Sequence, residues 1–142
     1  MNNKMTLEFS SKKENEQFAR TAVAAFIMSL DPTIENITDV KTAVSEAVTN
    51  CIVHGYPDDE DGTVTISCEI SDGVLHIEIS DKGVGIKDVN KVLEPYCTTR
   101  PFDERSGMGF TIMKTFMDDF DVKSVENEGT VVYMSKLIGK AS

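Results

Sequence analysis

Met5, Leu7 and Phe9 alternate with Thr6, Glu8 and Ser10, a period of two that predicts a strand with one buried face. The period then lengthens. The pattern "SKKE", Ser11 to Glu14, fits a capping box opening a helix. Phe18, Ala22, Val23, Phe26 and Leu30 follow at helical spacing and are expected to face inward, the helix ending at Asp31-Pro32. A second helix is expected from about Thr33 to His54, with Gly55 as its stop. Alternation returns at residues 63–70 and 74–80, two strands joined through Asp72-Gly73, a strong tight-hairpin signal. Residues 87–106 carry only a short helical hint at Val89–Leu93; an irregular stretch of that length inside a compact domain is usually functional, often a lid. Phe110, Met113 and Met117 then mark one side of a third helix, with Ile112 and Phe116 beside them. A last hairpin, Phe120–Val125 and Thr130–Met134, turns through "ENEG".

The order β-α-α-β-β-(lid)-α-β-β predicts an α/β (α+β) two-layer sandwich. Its mixed, mostly antiparallel sheet is covered on one face by helices, with the lid between sheet and third helix. A chain of 142 residues is expected to form one domain, residues 1–142, with its own core. Composition narrows the function classes. The formal net charge is −10, and without a basic stripe direct binding to nucleic acid is not expected. No apolar run is long enough to cross a membrane and "MNNKMTLEFS" has no signal-peptide architecture, which suits a cytoplasmic protein. Cys51, Cys68 and Cys97 form no C-x-x-C pair and are expected as reduced thiols, Cys68 in register with Val64, Ile66 and Ile70 as a core residue.

Three places carry candidate chemistry. On the second helix Ile37, Val40, Val44, Ala47, Val48 and Cys51 make one apolar stripe, while Glu46 and Asn50 lie together on the other side. From Thr42 to His54 the only formal charge is Glu46, unlike a solvated face. Either the two polar residues bond a neighbouring loop or they face a pocket. In a pocket, the Asn50 amide oxygen suits a hard cation such as Mg²⁺, and Glu46, one turn earlier, could take a proton from an attacking hydroxyl or water.

In "HIEISDKGVGI", Asp81 continues the register of Leu75, Ile77 and Ile79, so a carboxylate is aimed at the apolar layer and needs a donor to meet it. Gly83 and Gly85 follow, allowing close backbone approach. This is either a satisfied Asp in a glycine turn or a carboxylate that accepts from an amino group on a flat heterocycle. The third place is "RSGMGF". Gly107 and Gly109 stand at the front of a helix, where glycine costs roughly 1 kcal/mol against alanine once inside. They serve either as a hinge or to let phosphate oxygens reach backbone N–H groups. Ser106 adds a hydroxyl and Arg105 a cation.

At these residues the sequence resembles the ATPase/kinase superfamily that includes gyrase, Hsp90, sensor histidine kinases and MutL. "SEAVTNCIVHGY" resembles its N-box, "DKGVGI" its first glycine box, "RSGMGF" its second and "EGT", Glu128 to Thr130, its closing threonine element. The resemblance implies ATP between sheet and helices under a mobile lid. It assigns Glu46 as base, Asn50 to Mg²⁺, Asp81 to the adenine amino group and Thr130 to the adenine end. Gly83, Gly85, Arg105, Ser106, Gly107, Met108, Gly109 and Phe110 complete the nucleotide contacts.

The length leaves no room for the further domains of gyrase, Hsp90 or MutL relatives, and His54 and His76 do not fit a phosphoacceptor role. From first strand to last hairpin the chain resembles anti-sigma factors that double as serine kinases, the sporulation type most and the stress-response type as the rival. That implies a homodimer that holds a sigma factor and phosphorylates a serine of an anti-anti-sigma antagonist. A module that binds ATP without transferring it is the competing class. Residues 94–107 are charged and poor in apolar side chains. They are expected to order around a γ-phosphate and to form, through Glu104 and with Arg20, a partner surface; for Arg20 an ordinary solvated charge is the alternative.

Overall fold

The computed structural model describes residues 2–93 and 109–139. Five strands, β1 (Asn3–Ser10), β2 (Thr63–Ser71), β3 (Val74–Asp81), β4 (Asp119–Val125) and β5 (Gly129–Leu137), form one sheet in the order β1-β2-β3-β5-β4. All four pairings are antiparallel, so the sheet of the described residues is not mixed. Asp72 and Gly73, at φ 53° and 79°, make the β2–β3 turn in the left-handed geometry that matches strand twist.

Strand alternation puts Val64, Ile66, Cys68 and Ile70 of β2 and Leu75, Ile77 and Ile79 of β3 on one face, each at most 1% exposed. Onto that face pack α1 (Glu14–Phe26), α2 (Ile34–Asn50) and α4 (Phe110–Phe116); α3 is the short Val89–Leu93 segment. Helices and sheet share one core that includes Val40, Val44, Val48, Phe110 and Met113. Lys136 ties the layers together: its Nζ donates to the Phe116 carbonyl at the end of α4 (2.8 Å) and pairs with Asp39 of α2 (3.4 Å). No helix of the described residues is long and apolar enough to cross a membrane.

Two expectations fail at α1. Ser11 is not its cap. Its hydroxyl donates to the Asp59 carbonyl (2.6 Å) and accepts from Gly62 N–H (3.0 Å), and α1 starts at Glu14 after Lys13, which makes no side-chain cap bond. The reciprocal box sits instead on α2, where Thr33 accepts from Asn36 N–H and the Asn36 amide oxygen from Thr33 N–H. The inward face of α1 is also rotated. Ala19, Val23 and Ile27 are fully buried and Phe18 is 55% exposed, because the small Ala19 allows close packing of helices and a residue one place earlier lies about 100° around the axis. Beyond α1 the chain tightens into a single turn, Ile27–Leu30, closed by Asp31 at φ 51°.

α2 likewise stops at Asn50, short of His54. Residues Cys51–Gly55 form a wider turn, with Tyr56 N–H donating to the Cys51 carbonyl at 3.0 Å. That turn delivers Gly55 to the end of β3.

Candidate functional site

A narrow crevice of about 20 Å³ opens where the end of α2, the end of β3 and β5 meet. Its walls include Asn50, Cys51, Gly55, Asp81, Gly85, Phe110 and Thr130. Residues spread over 81 positions of sequence thus converge, Asn50 from α2, Asp81 and Gly85 from the first glycine segment, Thr130 from β5.

Asp81 is 6% exposed, as its register with Leu75, Ile77 and Ile79 requires. The required donors are present. Gly83 N–H donates to Oδ1 at 2.9 Å, and the Cys51 thiol and Thr130 N–H also serve the carboxylate. Burial nevertheless pushes the Asp81 carboxyl above its usual range, the three donors opposing the shift. Burial likewise pushes the Cys51 thiol well up, reinforced by the Asp81 charge, so Cys51 is a donor here and not a nucleophile. Cys68 is a buried core thiol, pushed up to about 12 by desolvation.

The segment Lys82–Ile86 is held through the N–H groups of Lys82, Gly83, Val84 and Ile86 and the Val84 carbonyl. Lys82 N–H donates to the Tyr56 hydroxyl (2.7 Å), which donates to the Thr63 carbonyl (2.8 Å). Val84 N–H donates to the Gly55 carbonyl at 2.9 Å, the Val84 carbonyl accepts from Asn127 N–H at 2.6 Å, and Ile86 N–H donates to Ser124 Oγ at 2.7 Å. Of the glycine pair only Gly85 has positive φ, 71°. Gly83 is needed for closeness, since a Cβ there would fall on the Gly55 carbonyl. Neither Tyr56 nor Ser124 carries a signal in the sequence, for both act through partners distant along the chain.

Glu46 is one turn from Asn50 and lines the adjoining groove between α1 and α2 with Arg20, Lys41, Thr42 and Ser45. Gly109, at φ 71° before α4, leaves the Glu46 carboxylate its space, because a Cβ at that glycine would strike it. Arg20 pairs with Glu16, Nε to Oε2, at 3.2 Å. Phe110 and Met113 are buried as expected, and Ile112 is exposed. Glu104, Arg105, Ser106, Gly107, Met108, Cys97 and the rest of the expected lid from residue 94 on lie outside the described residues; its first part holds the short α3.

The donor set accommodates the groups the sequence implied. Asp81 is a buried acceptor flanked by glycine backbone, which fits an amino-bearing heterocycle, although the crevice must widen to admit one. No cluster of three His, Cys, Asp or Glu able to hold a metal occurs among the described residues. A single amide oxygen at Asn50 suits Mg²⁺, which keeps several waters and takes its other ligands from phosphates.

Comparison with known proteins gives the family. The family profile of the histidine kinase-like ATPase domain matches residues 9–136. An anti-sigma F factor of Clostridium botulinum (strain Eklund 17B / Type B) is 63% identical over 134 residues, 94% of each chain. One from Geobacillus kaustophilus (strain HTA426) is 55% identical over 99% of this chain and 97% of its own. The chain belongs to the histidine kinase-like ATPase family, and within it to the anti-sigma F factors. At the level of fold alone, a Mycobacterium tuberculosis structure of RsbU and RsbW domains superposes with TM-score 0.70 at 13% identity; this chain covers it over 34% of its length and is itself covered over 99%. The nucleotide-free catalytic domain of the histidine kinase ThkA gives TM-score 0.56 at 17% identity, over 94% of this chain and 96% of that one.

Proposed function

We propose that this chain is a cytoplasmic, homodimeric anti-sigma factor of the sigma F type. In this reading it withholds a sigma factor from RNA polymerase and, as a Mg²⁺- and ATP-dependent kinase, phosphorylates a serine of an anti-anti-sigma antagonist. The observation that carries it is the convergence of Asn50, Asp81, Gly85 and Thr130 on one crevice, with Glu46 one turn away, in a chain 63% identical to an anti-sigma F factor.

Each residue has a part. Asp81 and Thr130 hold the adenine amino end, and the pinned Lys82–Ile86 backbone with its glycines receives the flat face of the base. Asn50 would hold Mg²⁺, which would supply positive charge to offset the phosphates. Arg105, Ser106, Gly107 and Met108 belong with the phosphates, as does the backbone at Gly109 and Phe110. Glu46 takes the proton of the incoming serine hydroxyl as its oxygen bonds to the γ-phosphorus and ADP leaves. Arg20 and Glu104 belong to the partner surface.

The test is transfer of labelled γ-phosphate from Mg-ATP to the antagonist by the purified chain. Label on one antagonist serine is expected. ATP binding with no transfer would leave an ATP-dependent binding module in place of the kinase.

A further inference from the structure

Ser124 Oγ touches three polar atoms: Ile86 N at 2.7 Å, the Gly129 carbonyl at 2.9 Å and Thr130 Oγ1 at 2.7 Å. A serine hydroxyl has one proton and two lone pairs. Ile86 N–H can only donate to it, and the Gly129 carbonyl can only accept from it. Its proton is therefore committed to Gly129, and the remaining contact requires the Thr130 hydroxyl to donate. The Thr130 proton is thus turned toward Ser124, and what Thr130 presents to the crevice is lone pairs alone.

Asp81 stands directly opposite Thr130 in the β3–β5 register and, when ionised, is also only an acceptor. Two acceptors at one end of a crevice complement an exocyclic amino group, which has two N–H bonds. They oppose an exocyclic carbonyl oxygen at the same place. We propose that Ser124 is a positioning residue that sets base specificity by fixing Thr130 as an acceptor, so that the crevice takes 6-amino purine nucleotides and rejects 6-oxo ones. The proposal rests on the crevice being a nucleotide site.

The experiment is calorimetric titration of the full chain with Mg-ATP and with Mg-ITP, which replaces the amino group by oxygen, near neutral pH. The unmodified chain is expected to favour ATP by about tenfold or more, the scale of one matched against one opposed hydrogen bond. Ser124→Ala frees the Thr130 proton to turn into the crevice, so the ATP/ITP ratio should fall by about threefold or more, while Ser124→Thr, which keeps a hydroxyl, should preserve it. A purely structural role for Ser124 would weaken both nucleotides equally and leave the ratio unchanged, which overturns the proposal. Equal affinity of the unmodified chain for ATP and ITP overturns it too, whether or not Ser124→Ala folds. If the unmodified chain binds neither nucleotide, the nucleotide reading itself has failed.

Discussion

The Gly55 carbonyl occupies the space where a side chain at Gly83 would begin, and in the same turn it accepts Val84 N–H at 2.9 Å. The end of α2 and the first glycine segment are therefore in backbone contact. Gly83→Ala must separate them, costing about 1–3 kcal/mol as an overpacked site does. We expect a lower melting temperature and ATP affinity reduced by about tenfold or more, the weaker binding being read by calorimetry. Melting and binding at the unmodified level would show that the contact yields without consequence.

Asp81 has a native pKa raised above its value of 3.8. The folded state then holds the proton more tightly than the unfolded chain does. The associated stability is fully present below the unfolded pKa and is lost as pH rises through the higher native one. Asp81→Asn should remove that loss. The ligand-free variant should melt no lower than the parent near neutral pH, and the difference between them should shrink as pH falls through the raised native pKa and be gone below 3.8. ATP and ADP should both bind about tenfold more weakly or worse, since they share the base. Unchanged ATP affinity would place the base elsewhere.

Glu46→Gln keeps the shape of the side chain and removes the base. Transfer to the antagonist should fall by roughly 10² or more, with ATP affinity little changed. Gly109→Ala, whose Cβ would meet the Glu46 carboxylate, should lower transfer as well while leaving the crevice walls from α2 and β3 in place. Full transfer by Glu46→Gln in a rapid-quench assay would end the base assignment.

Arg20 and Glu46 share the groove between α1 and α2, so a partner docked at Arg20 lies beside the proposed base. Arg20→Glu should weaken binding of the sigma factor by about tenfold or more, on the scale of a reversed interfacial charge. The local cost from the like charge at Glu16, one turn away, is only about 0.3–0.5 kcal/mol. ATP affinity should not change. Undiminished sigma binding in a pull-down titration would make Arg20 an ordinary helix charge.

The sequence revealed most where a short-range rule applied. Strand alternation carried Asp81 into the apolar layer, Asp72-Gly73 announced its turn, and the helical period separated Glu46 and Asn50 from the Val40–Val44–Val48 stripe. Phe18 misled because hydrophobic size suggested burial, whereas the close packing of α1 selected the smaller Ala19. Ser11 misled because a cap pattern is local and the surface loop at Asp59–Gly62 competed for its buried hydroxyl. Tyr56 and Ser124 left no periodic trace. Their importance lies in bonds to Lys82 and Ile86, 26 and 38 positions away, and only the folded topology creates those pairs.

The wide turn Cys51–Gly55 has a consequence for what this chain can lose or gain. An α-helical continuation would bond each N–H four residues back; here Tyr56 reaches five back, to Cys51. Removing any one residue of the turn would restore the tighter winding and rotate the chain beyond it by about 100° about the helix axis. The Gly55 carbonyl would then face away from Val84, and the Tyr56 hydroxyl away from Lys82. Substitutions in this stretch are judged by size and polarity, one at a time. A single deletion is judged by phase, and it would uncouple the helix layer from the glycine segment in one step.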